Sequence, residues 1–284
     1  MSAAACAIVA CGESAIVLDD TSPVAYTVNG YVDRGRGVAL FIRKTLSPAQ
    51  EYNLDSLHTF NVRNALVTLC TVDGARCVEI ARTTSGLYEL PELPTWATGT
   101  VSLRVEIEDA TYESQGYLPE LTGVTYEARS TRYVPQEDNG DQVFGNTYAH
   151  DFSFTVADPR LLAFVAIDMA DADDAGPVFI RDSPSACGIF SYRTSDRILF
   201  PTCPLESEIS LRIYQFAERG PGSWTFFLGV TGDPAYFNYL QAIGQDNFNS
   251  EFGGLYDVIT QPSHSNGIGG YVLFSASRKV DVVH

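Results

Sequence analysis

The sequence predicts a mainly β protein: two β-sandwich-like domains with one docked α-helix in the C-terminal half. Three observations carry that prediction. The 284 residues include 15 Tyr and 16 Phe among frequent Val, Ile and Thr, the side chains that fit a pleated, half-buried surface. Most of the chain reads as short apolar runs punctuated by Gly, Pro, Asn and Asp, the pattern of a sandwich rather than of βαβ units. Only one stretch, near the end, has a capped helical period.

A chain of 284 residues is longer than one typical domain. The expected division is a signal remnant, lipobox and tether over 1–22, an immunoglobulin- or transthyretin-like β-sandwich over 23–117, and a β-rich domain over 118–284. In the first domain, Ala25 to Gly30 leads through Asp33-Arg34-Gly35-Arg36-Gly37 into Val38 to Ile42. Ala65 to Leu69 and Ala75 to Ile80 flank Asp73-Gly74, a two-residue hairpin signal. Ser85 to Leu90 follows, and Val101 to Ile107 alternates with one face apolar. Leu118 to Gly145 reads as a connector containing the strand Val124-Thr125-Tyr126.

The second domain resumes strands at Phe152–Val156, Leu161–Ile167, Val178–Arg181, Arg197–Phe200, Ile209–Phe216 and Trp224–Val230. The helix, over 233–247, is then predicted by Asp233 as N-cap and Pro234 as the first helical residue. Tyr236, Tyr239, Leu240 and Ile243 fall on one face of it, at i, i+3, i+4 and i+7. The last expected strand begins at Gly267-Ile268-Gly269-Gly270, where the glycines permit a bulge or a tight backbone approach.

A formal charge of −17 repels phosphate backbones and disfavours nucleic acid as a partner. The six cysteines form no C-x-x-C and no Cys/His spacing suited to zinc. Counting outward from Asp73-Gly74 places Cys70 opposite Cys77, where a cross-strand disulfide fits. Cys187 and Cys203 bracket a second apparent hairpin and form the other candidate pair. Two such pairs point to an oxidising compartment. Buried free thiols are the plainer alternative.

Ile8-Val9-Ala10-Cys11 fits the lipobox that precedes an acylated cysteine, so Cys11 is the expected lipid attachment point and the membrane is reached through that anchor. No later apolar run approaches the roughly 18 residues needed to span a bilayer.

Asp168, Asp171, Asp173 and Asp174 crowd into one loop and could supply hard oxygens to calcium. Their spacing is not that of an EF-hand, and a solvated loop between two strands is the preferred reading. No other cofactor is expected. His58, His150, His264 and His284 are isolated, and neither H-E-x-x-H nor G-x-S-x-G occurs. No catalytic residue is therefore assigned and no enzyme is expected. Trp224 sits in a strand pattern and reads as core, whereas Trp96, beside Pro91 and Pro94, stands in a loop and could stack on a sugar or peptide.

Several ordered motifs resemble the Bacteroidetes domain-of-unknown-function family 4249. They are Val28-Asn29-Gly30-Tyr31-Val32, Asn64 to Leu69, Val72-Asp73-Gly74, Ser85-Gly86-Leu87-Tyr88, Val156-Ala157-Asp158-Pro159 and Ser265 to Ser277. What the resemblance implies is a cell-envelope lipoprotein of the outer membrane. It also implies an accessory or ligand-capturing subunit of a TonB-dependent nutrient transporter. An envelope structural or adhesive protein is the alternative, ahead of a hydrolase.

Overall fold

In the computed structural model the described residues are 26–44, 61–84, 86–134, 147–167, 178–180, 189–193, 197–201, 208–216, 223–233 and 268–283. They form a mainly β structure of three sheets. The strands are β1 (Tyr26–Asp33), β2 (Gly37–Lys44), β3 (Leu66–Thr71), β4 (Cys77–Glu79), β5 (Tyr88–Leu90), β6 (Gly99–Ile107), β7 (Ala110–Leu118) and β8 (Val124–Val134). Then come β9 (Thr147–Val156), β10 (Leu162–Ile167), β11 (Val178–Ile180), β12 (Ile189–Arg193), β13 (Arg197–Pro201), β14 (Glu208–Phe216), β15 (Ser223–Thr231), β16 (Ile268–Gly269) and β17 (Val272–Val283). The expected helix over 233–247 lies, apart from Asp233, outside the described residues.

A nine-stranded sheet runs β12-β13-β10-β15-β17-β1-β2-β5, with β16 also on β1. Two four-stranded sheets, β4-β3-β6-β7 and β11-β14-β9-β8, complete the set. The β5-β2-β1-β17 part of the large sheet shares one core with β4-β3-β6-β7. Val28, Leu40, Ile42, Val272 and Phe274 meet Val67, Leu69, Leu103, Val105 and Tyr112 there. Strict alternation explains the packing: on β6, Val101, Leu103, Val105 and Ile107 are buried while Thr100 and Arg104 are exposed. Each fully buried large aliphatic side chain stabilises by roughly 1.5–3 kcal/mol. Tyr88 is also in this core, and its hydroxyl accepts the Ala65 amide (3.0 Å) and donates to the Val62 carbonyl (3.3 Å).

Two strands differ from the sequence reading. β7, over 110–118, was not foreseen because its inward positions include Ser114 and Gly116, which interrupt the apolar alternation. Gly116 is required there: a Cβ on it would lie 2.0 Å from Phe274 Cγ. β8 runs to Val134, well past the three residues expected, and absorbs a bulge between Ala128 and Ser130. The expected second hairpin is present as the antiparallel pair β12–β13.

The C-terminal strand is the hinge of the topology. β16 and the first residues of β17 run parallel to β1 in one continuous register, Tyr26↔Ile268 to Asp33↔Ser275. From Ala276 onward β17 runs antiparallel to β15, Val230↔Ala276 to Ser223↔Val283. Gly270, at φ 105°, breaks the strand where any Cβ would meet the Val28 carbonyl at 2.3 Å. At this break the Asn29 side chain accepts the Tyr271 amide (3.1 Å), and the Gly30 amide donates to the Tyr271 carbonyl (3.3 Å).

Where β17 changes partners, the Arg34 amide still donates to the Ser275 carbonyl (3.1 Å), and side chains reinforce the exchange. Asp33 is fully buried. Its carboxylate accepts the hydroxyls of Ser275 and Ser277, both at 2.6 Å, and the amides of Gly35 (2.7 Å) and Arg36 (3.0 Å). From the opposite flank, the buried Thr231 hydroxyl donates to the Phe274 carbonyl (2.7 Å). Buried polar atoms need such partners, and here those partners stitch the two ends of the chain together.

Candidate functional site: a groove beneath the disulfide hairpin

The β3–β4 hairpin has the register expected from sequence, with Cys70 opposite Cys77, and the two form a disulfide. Their Cα atoms are 4.1 Å apart, the close spacing of a non-hydrogen-bonded antiparallel pair. Even-numbered Leu66 and Thr68 leave the core while Val67 and Leu69 enter it. The disulfide therefore lies on the outer face of the sheet.

The turn is one residue earlier than Asp73-Gly74 suggested. The Gly74 amide donates to the Thr71 carbonyl (2.8 Å), and the Thr71 amide donates to the Arg76 carbonyl (2.9 Å). Val72 to Ala75 thus form a four-residue loop, with Gly74 at φ 68°, a conformation that glycine adopts without steric cost. The reason is the Asp73 side chain. Its Oδ1 accepts the Thr71 hydroxyl (2.6 Å) and the Ala75 amide (3.1 Å), and the Thr71 hydroxyl oxygen in turn accepts the Arg76 amide (3.2 Å). The Thr71 hydroxyl, then the Ala75 amide, hold this carboxylate below its ordinary range, with the Arg76 charge adding to them.

Beside this tip stands the loop between β5 and β6. A tight turn fixes it: the Ala97 amide donates to the Pro94 carbonyl (2.8 Å) and the Thr98 amide to the Trp96 carbonyl (2.9 Å). Ala97 is buried, and Trp96, half-buried, packs against the core. Antiparallel pairing of Thr71 with Val101 brings the start of β6 alongside the end of β3. Together Thr71, Val72, Asp73, Ala75, Arg76, Trp96 and Thr98 line an open groove of about 770 Å³. That volume falls in the range of about 300–1,000 Å³ typical of small-ligand sites.

Of the residues singled out in the sequence, Trp96 and the Cys70–Cys77 hairpin are therefore brought together. Trp224 lies in β15. Cys11, Cys187, Cys203 and the run Asp168, Asp171, Asp173 and Asp174 lie outside the described residues. Among the described residues no group of His, Cys, Asp and Glu is arranged to hold a metal ion. No helix among them is long and apolar enough to cross a membrane.

The sequence reading missed Thr71, Arg76 and Thr98 as neighbours of Trp96. These segments, more than 20 residues apart, are joined by the β3–β6 register, which alternation within one strand does not encode. It also missed the buried Asp33. The one signal was an aspartate closing an apolar strand ahead of a Gly-rich turn.

No protein-family model matches the chain, and no curated protein does. A solved structure, "Biofilm associated protein - BSP domain", is similar over 92% of this chain at 8% identity and a TM-score of 0.25. The chain spans 59% of that structure's length. At that score the likeness identifies neither a fold nor a function.

Proposed function

We propose that this chain is a non-enzymatic cell-envelope protein of two sandwich-like domains, lipid-anchored through Cys11, whose first sandwich captures a ligand for a TonB-dependent outer-membrane transporter. The observation that supports capture is the groove at the hairpin tip, where a core-anchored Trp96 faces a turn carrying Asp73 and Arg76. Binding loops displayed at the end of a rigid sandwich are a common way to hold a site. The disulfide suits an oxidising compartment such as the envelope. The transporter partnership and the anchor rest on the resemblance to family 4249 and on the lipobox.

The test is affinity purification of the tagged chain from gently solubilised native outer membrane, with mass spectrometry of partners and of the N-terminal peptide. A stoichiometric transporter and an acylated Cys11 are the expected result. A monomer with an unmodified Cys11 peptide and no partner would overturn the proposal.

One observation favours the second reading, a structural or adhesive envelope protein. The nine-stranded sheet is continuous through β17 and sealed at Asp33, the construction expected of a stiff spacer. That reading predicts a loss of cell adhesion on gene deletion with no transporter recovered.

A further inference from the structure

We infer that the groove beneath the hairpin tip is a carbohydrate site that takes a neutral pyranoside, an assignment that rests on the capture reading and gives it a ligand class. Trp96 is the one aromatic among the lining residues. Its contacts with the core and the Pro94–Ala97 turn hold it in place, so stacking against the C–H face of a sugar ring would require little further ordering.

The remaining lining groups match the rim of such a ring. Arg76 offers a planar set of donors and Asp73 an acceptor whose Oδ1 is already fixed by Thr71 and Ala75. Vicinal hydroxyls, each donor and acceptor, suit a carboxylate beside a guanidinium. The Thr98 side chain, exposed on the same wall, adds a hydroxyl, and Val72, 52% exposed, adds an apolar contact.

Charge narrows the class. One carboxylate and one guanidinium leave the lining without net charge, and the chain as a whole carries −17. Phosphorylated or uronic-acid ligands would approach against that field. A peptide would be better served by a sheet edge or by deep side-chain pockets, neither of which this open groove supplies.

The test titrates the purified, disulfide-intact chain at millimolar concentrations with neutral gluco-, manno- and xylo-oligosaccharides. An oligogalacturonate and a proline-rich peptide serve as comparators. Binding is read by calorimetry and by indole fluorescence, Trp96 being one of two tryptophans. At least one neutral oligosaccharide should bind. Trp96→Ala should weaken it about tenfold or more, and Arg76→Ala severalfold. Because Trp96 also touches the core, the exposed Arg76→Ala provides the variant that leaves packing intact, and thermal melts check both. The assignment is overturned if no neutral oligosaccharide binds, or if binding is indifferent to both substitutions. If the peptide or the oligogalacturonate alone binds, and Trp96→Ala abolishes it, the neutral-pyranoside assignment falls while the capture reading stands.

Discussion

The β17 crossover and the β3–β4 tip solve the same problem, holding a chain where regular sheet ends, by opposite means. At the crossover the backbone is buried and every solution is polar and internal: Asp33 receives four hydrogen bonds, and Thr231 caps Phe274 from the other flank. At the tip the backbone is exposed, and a covalent bond between Cys70 and Cys77 does the holding. A buried network is strong because its members have no water to fall back on. An exposed turn has water as a competitor, so its hydrogen bonds are individually worth little, and a cross-link that restricts the unfolded chain is more effective there. The difference also separates roles. The crossover fixes the architecture, and the tip leaves side chains free to meet a ligand.

The sharpest way to break this contrast is Asp33→Ala. It strands the buried hydroxyls of Ser275 and Ser277, each costing about 1–3 kcal/mol when unsatisfied, and releases the part-buried amides of Gly35 and Arg36, which water can partly serve. A loss of roughly 3 kcal/mol or more is expected in urea unfolding, with the m-value checked for a change in compactness. A loss below that of removing the disulfide would refute the ranking of the two regions. Next in size is Gly116→Ala. The added methyl would press on the buried Phe274 ring, an overpacking cost of about 1–3 kcal/mol. Gly116→Ala paired with Phe274→Leu should recover part of that loss, because the substituted side chain yields space. A double variant no better than the single would place the cost elsewhere.

These two residues also mark what the sequence could and could not disclose. Alternation was legible on β6, where Val101 to Ile107 divides cleanly into buried and exposed faces, and the hairpin register followed from counting outward from a turn. β7 was invisible because its inward residue at 116 is the small side of a contact whose large side, Phe274, lies more than 150 positions away. Apolar periodicity cannot register a glycine that is inward-facing for the sake of another residue. The crossover was hidden for the same reason: β17 looks like one ordinary final strand, and nothing local says that it serves β1 first and β15 afterwards. At the groove, Trp96 drew notice by its type, but its neighbours are set by the pairing of Thr71 with Val101.

Removing the disulfide sharpens the other half of the comparison. For the loop of 70 to 77, chain-entropy arguments give a stabilisation of about 2–2.5 kcal/mol. The variant Cys70→Ser/Cys77→Ser should lower the melting temperature accordingly, and dithiothreitol should shift the wild type by more than it shifts the variant. Hydrogen exchange should show protection lost at the tip while the β17 amides next to Asp33 keep theirs. A uniform loss across both regions would mean that they unfold as one unit.

The smallest effect tests the outer margin of the crossover, where burial gives way to solvent. The Tyr271 hydroxyl donates to both carboxylate oxygens of Asp233 at 3.1 Å. Burial, with the Asp233 charge and hydrogen bond adding to it, raises the Tyr271 pKa above its ordinary value of 10.0. The folded protein therefore keeps this proton at pH values where the unfolded chain has released it. The resulting stabilisation is complete below pH 10.0 and drains away as pH climbs from there towards the raised folded value. Tyr271→Phe deletes the hydrogen bond, at a cost of about 1 kcal/mol near neutrality, and should remove Tyr271's share of the alkaline decline. Unfolding free energies of the two proteins, measured from neutral pH to above pH 10, should converge at the alkaline end. A difference that stayed constant across that range would mean that the Tyr271 proton is not linked to folding and that the crossover's polar ties end at Asn29.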